Sequence, residues 1–312
     1  SYKFMTEKLG FTTLTETDST QAGNMALGGF ENGVTTLEMA AAYSTFVNDG
    51  VYTTPRTYSR VEDSQGNVII DNNTESHVAM KKTTAYLMRS ILQDVVTRGS
   101  GGGAYFSGMS IGGKTGTTDD ARDRYFAGFT PYYCAAAWSG YKSNEVVYSD
   151  TNPCSAMFRR VMSRIHEGLE NPGFHSCDGL VDVTVCADSG QLATEACAAD
   201  FRGSRVKTVQ VAADTAPTKS CEMHKMVSYC KDGKHIATAS CPASSVMQVA
   251  ALDYARETVH DVTVPDDAYR VQVLSNGPCP VHGGTVTVDT PQQPKNESSL
   301  DDTEKPRSWL HP

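Results

Sequence analysis

The sequence predicts an α+β fold, and three observations carry the prediction. Three stretches have helical periodicity. A run of short strands joined by turn residues lies between the second and third of them. Those strands follow one another without the long crossover that parallel pairing requires. The first helix begins near Thr35, where Thr35-x-x-Glu38 is a capping box. Leu37, Ala40, Ala41, Ser44 and Val47 then share a face, and Asn48-Asp49-Gly50 supplies the stop. The second runs from about Thr83 to Val96, with Leu87, Ile91 and Val95 at helical spacing. The third runs from about Ser155 to Leu169. Met157 or Phe158, Val161 or Met162, and Ile165 are placed inward, and Asn171-Pro172-Gly173 follows. Between them, residues 110–118, 125–129 and 133–139 read as strands, with Thr130-Pro131 turning the last two into a hairpin.

Composition sets outer limits. The 312 residues leave room for about two domains, and 39% hydrophobic with 20% charged residues is ordinary for a chain with a packed core. A net charge of −9 without a basic stripe argues against nucleic-acid binding. No apolar run reaches the ~18–20 residues that span a bilayer. Residues 1–170 are rich in Gly, Ala and Tyr. Residues 177–288 hold seven of the nine cysteines, Cys177, Cys186, Cys197, Cys221, Cys230, Cys241 and Cys279. Residues 289–312, rich in Pro, Asp, Glu, Ser and Gln, read as a disordered tail. Within the second region the segment from Val183 to Cys197 aligns with that from Val227 to Cys241. Each copy is followed by Cys-x-x-His, at Cys221–His224 and Cys279–His282. Two copied modules with few large apolar residues need staples.

The most informative chemical motif is Gly112-Gly113-Lys114-Thr115-Gly116-Thr117-Thr118. Gly108-x-x-x-x-Gly113-Lys114-Thr115 fits the letters of a nucleotide phosphate loop. That loop needs a buried strand before it and a helix directly after, and neither context is readable here. The competing reading puts Lys-Thr-Gly on an edge strand beside a serine acyl-transfer site. Lys114 then offers a fixed cation to a carboxylate, and the Thr115 and Thr117 hydroxyls offer hydrogen bonds. Gly116 lets a partner approach closely.

Four ordered blocks carry a family resemblance. They are Ala26–Tyr43, Phe46–Pro55, Gly113–Thr118 and Asp123–Pro131. Through them residues 1–170 resemble the C-terminal part of the transpeptidase domain of class A penicillin-binding proteins, the bifunctional peptidoglycan synthases. The Cys-rich copies resemble C-terminal extensions of some members. The resemblance implies a serine β-lactamase/penicillin-binding fold, an antiparallel sheet with helices on both sides. It implies substrate binding by Lys114, Thr115, Gly116 and Thr117, with peptidoglycan stem peptides and β-lactams as partners and no cofactor. It also implies an extracytoplasmic, membrane-anchored parent with a glycosyltransferase domain upstream, working with the cell-wall synthesis machinery. The family's nucleophile motif Ser-x-x-Lys and its Ser-x-Asn both precede Lys-Thr-Gly. Here no Ser-x-Asn occurs, and Ser-x-x-Lys occurs only after Lys114, at Ser139, Ser204 and Ser228. The chain is therefore expected to hold one wall of the active site, as a C-terminal fragment. A non-catalytic wall-binding module is the alternative.

Cys186 with Cys197 and Cys230 with Cys241 are the expected disulfide pairs, each bracketing a Gly-containing turn. Zinc held through the Cys-x-x-His pairs is the rival, and free thiols are the third reading. Cys134 reads as a small buried hydrophobe and Cys154 as an unpaired thiol. His77, His166 and His175 show no catalytic spacing.

Overall fold

The computed structural model describes residues 1–254 and 265–286; the expected tail, 289–312, lies outside them. The chain divides into two compact units. The first is Ser1–Asp182 with Gln210–Ala216, and the second is Val183–Val209 with the described residues from Pro217 onward.

After a short π-helical segment at Phe4–Lys8, the first unit continues with short helices α1 (Glu16–Thr20) and α2 (Ala22–Leu27), then α3 (Thr36–Ser44). Two small antiparallel ladders follow. β1 (Val51–Thr53) pairs with β4 (Ser76–Val78), and β2 (Arg60–Glu62) pairs with β3 (Val68–Asp71). Helix α4 (Lys82–Arg98) leads to the central sheet of β5 (Gly112–Thr117), β6 (Asp123–Phe129) and β7 (Cys134–Gly140), and α5 (Pro153–Ile165) closes the unit. The sheet order is β5-β6-β7, antiparallel throughout, in the continuous register Gly112↔Phe129 to Thr117↔Arg124 and Asp123↔Gly140 to Phe129↔Cys134.

Alternation along β6 sends Phe126 and Phe129 to opposite faces. Phe126 meets Phe158 of α5 edge-on at 4.9 Å, and Phe129 meets Phe46, just after α3, at 6.4 Å. Helices thus cover both faces. The core on the α5 side gathers Val96, Met109, Ile111, Phe126, Cys154, Phe158 and Met162.

The helices form where the sequence places them, but three of the expected inward faces are shifted. Thr35 caps α3 as predicted, yet Glu38, Ala41 and Ala42 are buried while Leu37 is 53% exposed. In α4 the buried residues are Ala85, Arg89, Leu92 and Val96, while Ile91 is 57% exposed. The Arg89 guanidinium lies under Tyr86 and Phe174 and donates to the His175 carbonyl. Its stem therefore occupies core space that an apolar count assigns elsewhere. In α5, Phe158 and Met162 point inward, and Ile165, expected to join them, is exposed.

The second unit is built from strands. β8 (Leu180–Cys186) pairs with β9 (Val206–Ala212), the two strands contributing Val183–Cys186 and Val206–Val209 to this unit, and α6 (Glu195–Ala198) lies between them in the chain. β10 (His224–Cys230) is the centre of a sheet ordered β11-β10-β12, with β11 His235–Ile236 and β12 Val246–Leu252. Helix α7 (Val271–Leu274) packs Val271 and Leu274 with Ile236 and Ala251.

Candidate functional site

β5 is an edge strand because nothing pairs with its other side among the described residues. Its composition, Gly-Gly-Lys-Thr-Gly-Thr, is poor for a strand by propensity. Packing explains the glycines. A Cβ on Gly113 would lie 2.6 Å from Phe126 Cζ and 2.7 Å from the Ala127 carbonyl oxygen. A side chain there would push β5 off β6. With glycine the two backbones close up, and Lys114 is carried to the surface on a rigid support.

The direction of the β5 backbone follows from one bond. Thr118 N donates to Asp123 O at 3.2 Å, so residues 118 and 123 form a hydrogen-bonded pair. Antiparallel pairing alternates, so Gly116, Lys114 and Gly112 also turn their amides and carbonyls toward β6. Gly113, Thr115 and Thr117 then present theirs to the free edge. The Lys114 ammonium curls onto this edge and donates to Thr115 O at 2.6 Å. The Thr115 hydroxyl lies 3.0 Å from Ser100 Oγ, in the loop after α4. Lys114, Thr115, Gly116 and Thr117 thus combine a cation, two hydroxyls and outward backbone groups on one exposed edge. That arrangement suits an extended ligand bearing a carboxylate.

The edge is braced from behind. The Tyr125 hydroxyl of β6 donates to Val34 O at 3.1 Å, and burial pushes its pKa up. Asp123, at the start of β6, accepts from the Thr118 hydroxyl and, at 2.8 Å, from Trp138 Nε1 of β7. The phosphate-loop geometry is not formed. Gly113, Lys114 and Thr115 lie inside a continuous strand, and only the three-residue turn Asp119–Ala121 follows it.

The other marked residues fall elsewhere. Cys134 is half-buried, and desolvation pushes its thiol pKa up to about 12. Cys154 is buried in α5 and donates to Arg124 O. His166 is a satisfied core histidine between Met162 O and Thr130 Oγ1, at 2.6 and 2.9 Å. His77 is exposed and bonds Lys8 O at 3.1 Å.

No cysteine pair is joined in a disulfide in the structure. Cys186 and Cys197 instead converge with Cys221 and His224, and Cys230 and Cys241 with Cys279 and His282. In each set the four ligand atoms lie within 4.8 Å of one another. The reason is tertiary. The Cys-x-x-His segment folds back onto each pair, so the sulfurs point to a common centre and not only to one another. Cys186 and His224 are 38 positions apart, and Cys230 and His282 are 52 apart.

Comparison with known proteins gives the family of the chain. Residues 6–147 match the penicillin-binding protein transpeptidase domain, and residues 176–226 match the C-terminal domain of penicillin-binding protein 1A. Penicillin-binding protein 1A of Clostridium perfringens is 38% identical over 207 residues, covering 64% of this chain and 25% of that protein. Its counterpart in Clostridium novyi is 30% identical over 266 residues, covering 84% of this chain and 30% of that protein. The chain thus spans about a quarter to a third of the length of these relatives. The crystal structure of penicillin-binding protein 1A from Haemophilus influenzae superposes with a TM-score of 0.53 at 19% identity. It covers 69% of this chain and 36% of that one, a likeness of fold.

Proposed function

We propose, from the premise that the chain belongs to the penicillin-binding protein family with a transpeptidase domain, that its β5 edge is the carboxylate-binding wall of a peptidoglycan-cross-linking active site. The observation that carries the reading is the Lys114–Thr117 segment on an unpaired strand edge, with Thr115 and Thr117 facing outward. In this reading the complete protein supplies the serine from its Ser-x-x-Lys motif, upstream of these residues. The serine oxygen attacks the penultimate D-Ala carbonyl of a stem peptide. The peptide C–N bond breaks, and the terminal D-Ala leaves with a proton on its amine. The acyl group then passes to an amino group of a second stem peptide, and the serine regains its proton. Lys114 and the Thr117 hydroxyl hold the terminal carboxylate, or that of a β-lactam. The outward backbone of Thr115 and Thr117 aligns the peptide as an added strand. Anchoring at the membrane, with the site on its outer side, belongs to the same proposal; among the described residues no helix is long and apolar enough to cross a membrane.

Labelling with a fluorescent penicillin tests the reading. The 312-residue chain alone should give no covalent band, since no serine precedes Lys114 in Ser-x-x-Lys. The complete protein should be labelled. Lys114→Ala in that protein should slow acylation roughly ten- to hundred-fold, as expected for loss of a charge-assisted hydrogen bond to a carboxylate. Acylation of the Lys114→Ala protein at the unaltered rate would reject the assignment.

A further inference from the structure

We propose that each copy of the duplicated module binds one zinc ion in a closed Cys3His site. One site is formed by Cys186, Cys197, Cys221 and His224, the other by Cys230, Cys241, Cys279 and His282. The proposal is independent of the transpeptidase reading.

The distances fit a tetrahedral centre. With zinc–sulfur bonds of about 2.3 Å and zinc–nitrogen bonds of about 2.0–2.1 Å, neighbouring sulfur and nitrogen ligands stand about 3.6 Å apart. Nδ1 of His224 lies 3.6 Å from Cys186 Sγ and 3.4 Å from Cys221 Sγ. Nδ1 of His282 lies 3.4 Å from Cys230 Sγ and 3.7 Å from Cys279 Sγ. Both histidines thus present the same nitrogen to the sulfurs. Three soft thiolates and one imidazole, with no place left for a water, are the donor set of a structural zinc site.

The surroundings repeat as well. Asp188 and Asp232 stand at equivalent positions, two residues after the first cysteine of each copy. Asp188 Oδ2 lies 3.2 Å from His224 Nε2, and Asp232 Oδ2 lies 3.7 Å from His282 Nε2. A carboxylate on that side of the ring favours the tautomer protonated at Nε2, the form in which Nδ1 can ligate. In the first copy Asp200 adds a second contact to Nε2 at 3.0 Å, while Arg202 and Arg205 hold the carboxylates. The second cysteine of each copy is hydrogen-bonded twice to the threonine three residues before it. The amide and hydroxyl of Thr194 reach Cys197 Sγ at 3.4 Å, and those of Thr238 reach Cys241 Sγ at 3.4 Å. Gly233 makes room for the second centre, since a Cβ there would lie 2.5 Å from Cys279 Sγ.

The two centres share β10. His224 begins the strand and Cys230 ends it, which sets the sites about 20 Å apart at ~3.3 Å per residue.

The test uses the 312-residue chain purified in reductant without chelator. Elemental analysis should find two zinc ions per chain. The six ligand cysteines should resist alkylation until a strong chelator is added. Cys221→Ser and Cys279→Ser should each remove one equivalent. Should either variant fail to fold, cobalt(II) titration of the wild-type chain decides: a tetrahedral spectrum with thiolate charge-transfer bands, saturating at two equivalents, is expected. Saturation below two equivalents, an octahedral spectrum, iron in place of zinc, or recovery of Cys186–Cys197 and Cys230–Cys241 as disulfide-linked peptides would overturn the proposal.

Discussion

Gly113 decides where Lys114 stands. Its missing side chain lets β5 sit against Phe126 and the Ala127 carbonyl, contacts that a methyl group would make at 2.6 and 2.7 Å. The Ala127 contact is with backbone and cannot rotate away. Gly113→Ala should therefore destabilise the first unit by about 1–3 kcal/mol, the usual cost of overpacking a filled core. Urea denaturation followed by tryptophan fluorescence reads this directly, since Trp138 sits on β7 of the same sheet. A variant as stable as the parent would mean that β5 is free to shift, and Lys114 would then lack a fixed position. The lysine itself was legible in the sequence, because Lys-Thr-Gly is a contiguous motif. The free edge and the outward turn of Thr115 and Thr117 were not. They depend on which strand pairs with which and on the parity of one hydrogen bond, and neither leaves a local trace.

At the scale of the element, α3 shows how a short helix is fixed at its start. Glu38 accepts from Thr35 N and Oγ1 at 3.2 and 2.8 Å, completing the capping box. Its other oxygen accepts from Thr12 N and Oγ1 at 2.8 and 2.6 Å. Burial raises the carboxyl pKa, but these four bonds outweigh it and hold the pKa below its ordinary 4.5. A depressed folded pKa adds stability that is present above the unfolded value and lost as pH falls through the folded one. Glu38→Gln should therefore be less stable than the parent at pH 7. The gap should narrow as pH drops below about 4.5. Glu38→Ala, which leaves the donors of Thr12 and Thr35 unanswered, should cost about 2–3 kcal/mol at neutral pH. A gap between Glu38→Gln and the parent that stays constant with pH would contradict the assigned role. The Thr35–Glu38 half of this arrangement was readable because a capping box spans four residues. The tie to Thr12 was not, since nothing in the sequence marks residues 12 and 38 as neighbours. Helix faces failed for a related reason. Arg89 and Ala85 fill inward positions of α4 because Phe174, Tyr86 and the His175 carbonyl give the guanidinium a place, so apolar periodicity pointed to Ile91 instead.

At the scale of the molecule, the two units are stabilised by different chemistry. The first holds its own apolar clusters, around Phe126, Phe158 and Met162 and around Phe11, Leu14 and Ala42. The second holds a modest cluster at Ile236, Ala251, Val271 and Leu274, and a second one whose buried members are Cys186, Cys197 and Cys221. Where a core consists of cysteines, the metal takes the place of hydrophobic burial. The duplication was legible because its spacing is strict. The grouping of three cysteines with one histidine was not, because the third cysteine and the histidine arrive from far along the chain. The consequence is an asymmetric response to chelation. Metal at a thousand-fold excess over its dissociation constant stabilises a site by about 4 kcal/mol, and a strong chelator removes that contribution. Calorimetry of the 312-residue chain should therefore show one transition that falls sharply in temperature when chelator is added. A second transition, belonging to the first unit, should remain in place. Hydrogen exchange assigns them: β10 and β12 should lose protection on chelation while β5, β6 and β7 keep theirs. Chelator that leaves both transitions unmoved would show that the cysteine clusters hold their shape without metal.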